Sequence, residues 1–110
     1  MNPVEPWRFS ELIITSRVAS RWEDASDPLI TSVVEDSRQV SPGACFVARA
    51  GSRSDGHRYV QDAIKAGAGA VIHERPLTLP PGVAGLRVDS ARGVVGRLAS
   101  TLYGVTRLQR

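Results

Sequence analysis

Two short polar segments hold the residue types that could do chemistry. Asp36-Ser37-Arg38 and Gly51-Ser52-Arg53-Ser54-Asp55-Gly56-His57 each bring together a hydroxyl, a guanidinium and a carboxylate. In the second, the glycines let backbone N–H groups approach an anion. The hydroxyls of Ser52 and Ser54 donate, Arg53 supplies charge, and a helix starting at His57 aims its N-terminus the same way. That is the make-up of a phosphate cradle, and an ordinary solvent turn has the same composition. Other chemistry is excluded or unmarked. No glycine loop ends in Gly-Lys-Ser or Gly-Lys-Thr. His57 and His73 lie 16 residues apart with no Cys or carboxylate at ligand spacing, so no metal site is written. Cys45 falls in an apolar run and is expected to be a packed core thiol. Glu35 and Asp36 read as turn formers, because nothing marks them as an acid–base pair.

The elements that must position these segments are read from periodicity and punctuation. Trp7 to Thr15 reads as a short helix starting near Ser10-Glu11, with Phe9, Leu12 and Ile13 as its apolar stripe. Arg17 to Pro28 is polar loop, with room for a short strand near Val18. Leu29 to Glu35 alternates as a strand, with Ile30, Ser32 and Val34 on one face. Pro42-Gly43 suits the centre of a type II turn. Ala44 to Ala48 and Ala68 to His73 are continuous apolar runs, as in strands covered on both faces. Between them His57 to Ala66 is a helix stopped by Gly67. After a proline- and glycine-rich loop come a strand at Leu86 to Val88 and a last helix, capped by Asp89 or Ser90 and running to about Tyr103. Both polar segments come directly after predicted strands, where ligands collect in open α/β sheets. The expected fold class is α/β, a small mainly parallel or mixed sheet with flanking helices.

The 110 residues suffice for one domain spanning 1–110 with a real core. A composition of 42% apolar and 23% charged residues is that of a globular protein, not a disordered one. No apolar run is long enough to span a bilayer, and Pro3, Glu5, Pro6 and Arg8 interrupt any leader at the N-terminus, so neither membrane insertion nor secretion is expected. A single cysteine fits a reducing, cytoplasmic setting. The net charge is +3, but the arginines are scattered and aromatics are only 5%, which speaks against nucleic acid as a partner.

The two polar segments and the chain beyond them share an order with a known family. Asp36-Ser37-Arg38-Gln39-Val40-Ser41-Pro42-Gly43-Ala44-Cys45-Phe46-Val47-Ala48 is followed by Gly51 and then Asp55-Gly56-His57-Arg58-Tyr59. Next come Val71-Ile72-His73-Glu74, Leu86-Arg87-Val88 and Leu98-Ala99-Ser100-Thr101-Leu102-Tyr103-Gly104. This resembles the N-terminal domain of the Mur ligases over roughly residues 7 to 105. It looks most like the UDP-N-acetylmuramoyl-L-alanyl-D-glutamate ligases, the tripeptide synthetases of peptidoglycan assembly.

The resemblance implies a Mur ligase N-terminal domain fold that binds the UDP end of a UDP-N-acetylmuramoyl-peptide. Carried over by position, Glu35, Ser37 and Arg38 line the nucleotide. Ser52, Arg53 and Ser54 reach toward the UDP-muramoyl group, and Asp55, Gly56 and His57 shape that loop. Glu35 departs from the family's apolar or Tyr residue. A carboxylate beside pyrophosphate would repel it, so Glu35 is expected to serve through its backbone or to point away. The family's ATP loop, magnesium-binding modified lysine and Asp-Asn-Pro-Arg motif are not in this sequence. The chain alone is therefore expected to bind without ligating, with ATP and magnesium belonging to a full-length ligase. Its implied partners are the UDP-muramoyl-peptide and either the catalytic domains or another cell-wall enzyme. The alternative is a freestanding scaffold or interaction domain that kept the fold and lost the ligand.

Overall fold

The apolar runs at 44–47 and 70–73 become two of the three inner strands of a five-stranded sheet. The computed structural model describes residues 5–18, 21–22, 26–51 and 55–104. In chain order the elements are β1 (Trp7–Arg8), α1 (Phe9–Thr15), β2 (Arg21–Trp22), β3 (Leu29–Ile30), β4 (Ser32–Val34), a 3-10 turn (Ser37–Gln39), β5 (Ala44–Val47), a 3-10 turn (Gly56–Tyr59), α2 (Val60–Lys65), β6 (Ala70–His73), β7 (Ala84–Arg87) and α3 (Val94–Tyr103). The main sheet runs β2-β7-β6-β5-β4, and β1 pairs with β3 in a separate two-stranded sheet. Strands β4 to β7 are parallel and in sequence order, while β2 joins β7 antiparallel. The sheet is thus mixed, mainly parallel and flanked by helices, as expected.

Both faces of the sheet are covered. Cys45 and Val47 of β5, Ala70 and Ile72 of β6, and Ala84 and Leu86 of β7 point to one face. There they pack with Phe9, Leu12 and Ile13 of α1 and Val94, Leu98 and Leu102 of α3. Phe46 and Val71 point to the other face, against Val60 and Ala63 of α2. Two-sided burial explains why β5 and β6 read as continuous apolar runs rather than alternating ones. Cys45 is buried, and burial pushes its thiol well above the usual range, so it is a core residue.

Several expected boundaries move, each for a physical reason. The single strand expected at Leu29 to Glu35 breaks at Thr31, because Leu29 and Ile30 pair with Arg8 and Trp7 while Ser32 to Val34 pair with β5. Ile30 and Val33, which unbroken alternation would put on opposite faces, are therefore both buried, and Ser32 and Val34 are half-buried. The first helix begins at Phe9, because Trp7 and Arg8 are taken by pairing with Ile30 and Leu29. No side chain of its own N-cap residue satisfies that helix start. Asp27 does so from across the chain, accepting from the Ser10 N–H (2.8 Å) and hydroxyl (2.7 Å). The strand expected near Val18 forms instead at Arg21–Trp22. The helix expected from His57 to Ala66 opens as a 3-10 turn and becomes α-helical only at Val60. The strand expected at Leu86 to Val88 starts at Ala84, because four positions pair with β6. Neither Asp89 nor Ser90 caps α3; its N-cap is Gly93, at φ +78°. The turn at Pro42-Gly43 forms as expected, with Gly43 at φ +88° and the Ala44 N–H donating to the Ser41 carbonyl (3.0 Å).

Candidate functional site

Parallel strands β4 and β5 end side by side, and the chain leaving each one forms a wall of the same cleft. The cleft has a volume of about 810 Å³. Glu35, Asp36, Ser37 and Arg38 line it from the end of β4; Arg49, Ala50 and Gly51 from the end of β5; Gly56, Tyr59 and Asp62 from the turn into α2. The position obeys the rule that ligands gather beyond the carboxyl ends of parallel strands, because loops there are free of sheet pairing. The strand order runs through β4 to β7 without reversing, so the cleft lies at the β4 edge and not at a switch point.

Its electrostatics are those of paired charges. The Arg38 Nε and Nη2 donate to the two oxygens of Asp36 (3.0 and 2.8 Å), and the Arg38 N–H also donates to Asp36 (2.9 Å). The side-chain bonds from Arg38, followed by the backbone one, hold the Asp36 carboxyl down to about 2. Across the cleft Arg49 Nη1 meets Glu35 Oε2 at 3.2 Å, both side chains about half exposed. The Glu35 side chain therefore does not point away: it lines the cleft and pairs with Arg49 there.

Asp55 and His57 stand behind this wall. The His57 Nε2 accepts from the backbone N–H groups of Glu74 (3.0 Å) and Arg75 (3.3 Å), so the proton sits on Nδ1, which donates to Asp55 Oδ1 (2.7 Å). An Asp–His pair resembles the orienting half of a catalytic triad. Here the basic nitrogen is occupied by main chain, so the pair holds structure. The ring's bond, followed by the His57 backbone N–H, lowers the Asp55 carboxyl below the ordinary range, and the Arg75 guanidinium on its second oxygen adds to this.

Of the nine residues expected at the site, Glu35, Ser37, Arg38 and Gly56 line the cleft. Asp55 and His57 support it, and Ser52, Arg53 and Ser54 lie outside the described residues. Sequence reasoning missed Arg49, Tyr59 and Asp62. Arg49 carried a usable signal, since it stands just beyond the buried run of β5, where a strand-end cation faces the crevice.

The sequence matches the family described as Mur ligase family, catalytic domain, over residues 29–103. The chain belongs to the Mur ligase family. Among Mur ligases, the UDP-N-acetylmuramoyl-L-alanyl-D-glutamate--2,6-diaminopimelate ligase of Phocaeicola vulgatus is 45% identical over 82 residues, covering 74% of this chain and 17% of that protein. The UDP-N-acetylmuramyl-tripeptide synthetase of Roseiflexus sp. is 46% identical over 81 residues, covering 71% and 16%. The crystal structure of MurF from Acinetobacter baumannii superposes with a TM-score of 0.72 at 30% identity, over 90% of this chain and 21% of that one. The chain thus spans about a sixth of the curated relatives' length and about a fifth of that structure's. The fold is that of a Mur ligase N-terminal domain. Although the family description names a catalytic domain, the matched span carries no phosphate-binding Gly-Lys-Thr loop: its one lysine, Lys65, is followed by Ala66. Among the described residues no helix is long and apolar enough to cross a membrane.

Proposed function

We propose that this chain is the substrate-recognition part of an ATP-dependent ligase of peptidoglycan precursors, and that its cleft receives the UDP end of a UDP-N-acetylmuramoyl-peptide. The observation that carries the reading is the strand-end cleft itself. Its volume falls within the roughly 300–1,000 Å³ of small-molecule sites. It combines the Ser37 hydroxyl, the guanidinium groups of Arg38 and Arg49, the backbone of Gly51, and the apolar surface of Tyr59. These are the groups a nucleoside diphosphate needs: cations and N–H donors for phosphate, an aromatic surface for the base. ATP and magnesium act elsewhere in the complete ligase.

Titration of the 15N-labelled chain with UDP-N-acetylmuramoyl-L-alanyl-D-glutamate tests this. The amides of residues 35–38, 49–51 and 55–57 should shift together. Arg49→Ala removes a charge-assisted contact worth roughly 1.5–3 kcal/mol, and Ser37→Ala a neutral one worth roughly 0.5–1.5 kcal/mol. The arginine variant should therefore bind more weakly, and its deficit should shrink as salt rises. Glu35→Gln should tighten binding, because it releases Arg49 for phosphate and removes a repelling charge. A wild-type chain that gives no shifts at millimolar ligand refutes the reading. The second reading, an interaction domain without a ligand, draws on one observation: both cleft arginines are already neutralised, by Asp36 and Glu35.

A further inference from the structure

A polar network lies behind the cleft, at the end of β6. The Glu74 carboxylate accepts from two backbone N–H groups of different loops: Ala50 to Oε1 (2.8 Å) and Ala91 to Oε2 (2.6 Å). Ala50 is a cleft residue beyond the end of β5, and Ala91 belongs to the turn entering α3. We propose that Glu74 is the positioning residue of this cleft, fixing the Arg49–Gly51 wall by tying the Ala50 backbone to the fold without touching a ligand itself. As a ligand-affinity determinant it rests on the proposed binding of UDP; as the anchor of the wall it does not.

Three observations support it. First, β5 ends at Val47, and the last sheet-like bond beyond it is from the Ala48 N–H to the Ile72 carbonyl (2.8 Å). Two residues farther on, the Ala50 N–H leaves the sheet and goes to the carboxylate. Second, the same corner holds the far end of the loop. The Glu74 and Arg75 N–H groups donate to His57, and the Arg75 guanidinium pairs with Asp55. The β6 exit thus grips the chain on both sides of the segment after Gly51. Third, the two donors need two acceptors at one point. Only a carboxylate supplies both; an amide of the same shape would turn its NH2 toward one of the N–H groups. Burial works to raise the Glu74 carboxyl, yet the bonds from the Ala91 and Ala50 N–H groups bring it below the ordinary range, and the Arg49 guanidinium adds to this. The charged form is the one the two loops hold.

The test uses the 15N-labelled chain in four forms: wild type, Glu74→Gln, Glu74→Asp and, as control, Glu11→Gln, which removes an exposed carboxylate on α1. In wild type the Ala50 and Ala91 amide resonances should move together with pH, with one midpoint below the ordinary glutamate range. Glu74→Gln should abolish both titrations and displace the resonances of Arg49 to Gly51. Its affinity for UDP-N-acetylmuramoyl-L-alanyl-D-glutamate should fall roughly tenfold or more. Glu74→Asp, which keeps the charge on a shorter arm, should retain part of both effects, and it carries the test if the glutamine variant does not fold. The control should leave everything unchanged. A folded Glu74 variant with wild-type affinity and undisturbed 49–51 resonances overturns the proposal, as do wild-type Ala50 and Ala91 amides that do not titrate together. If wild type fails to bind the UDP ligand, the functional reading falls. The anchoring claim is then decided by the 49–51 resonances alone: displaced in the variants they uphold it, undisturbed they refute it.

Discussion

Gly56→Ala should be among the most damaging single-methyl insertions in this domain, although Gly56 sits at the surface of a cleft. A Cβ built there lies 2.8 Å from the Arg49 backbone nitrogen and 3.2 Å from the Ala48 Cα and the Arg49 carbonyl oxygen. All three are main-chain atoms, so no side chain can swing aside. The backbone they belong to is pinned next door by the Ala48 N–H bond to the Ile72 carbonyl. The loop must therefore give. It either strains, at the about 1–3 kcal/mol typical of overpacking, or it withdraws and loses the 2.8 Å bond from the Gly56 N–H to the Arg49 carbonyl, a further about 0.5–1.5 kcal/mol. A loss of about 1.5–4.5 kcal/mol is expected where both occur. Gly96→Ala is the matched control. It inserts the same methyl into α3 at a position with nothing within 4 Å, and should stabilise by roughly 0.5–1 kcal/mol, because alanine loses less backbone entropy on forming a helix. Urea denaturation of the two variants beside wild type gives both numbers. If Gly56→Ala unfolds within about 0.5 kcal/mol of wild type, the surface-substitution range, the close approach of 49 and 56 is not a rigid feature of the cleft.

Leu98→Ala, at a fully buried position on α3, should cost about 2–5 kcal/mol in the same assay. Ile64→Ala should cost less, about 1–2 kcal/mol, because Ile64 is only partly buried and borders its core cluster. Asp27→Ala removes the distant cap of α1 and should cost about 1 kcal/mol at neutral pH. The Ser10 backbone bond, the largest influence, lowers the Asp27 carboxyl below its ordinary 3.8. Its contribution is therefore present above that value and fades as pH falls through the lower native one. Wild type and Asp27→Ala should converge in stability in strong acid, and a gap that persists there would refute the assignment.

How much of the fold is legible in the sequence depends on which interactions have side-chain signatures. The apolar runs at 44–47 and 70–72 announce buried parallel strands because burial on both faces removes the alternation of polar positions; His73, which closes β6, is the one buried polar residue in these two strands. The Pro42-Gly43 turn and the end of α2 at Gly67 are legible because glycine at φ > 0 is a local requirement. The break at Thr31 is not, since it depends on pairing with Trp7–Arg8, more than twenty residues away in the chain. The start of α1 escapes for the same reason, because Asp27 caps it from 17 residues away. The start of α3 escapes because its N-cap, Gly93, has no side chain to mark it.

The site divides along the same line. Asp36 and Arg38 can be read as a unit because side chain answers side chain two residues apart. The groups that build the cleft from behind answer main chain instead. Glu74 binds the N–H groups of two alanines, and the His57 Nε2 binds those of Glu74 and Arg75. Every residue except proline carries such a donor, so nothing in Ala50 or Ala91 advertises the contact. Only topology, by bringing the ends of β5 and β6 together with the entry to α3, turns an anonymous N–H into a specific partner. A carboxylate closing a buried strand, as Glu74 closes β6, is therefore the signal to seek: an acid placed where neighbouring loops must leave the sheet with unpaired donors.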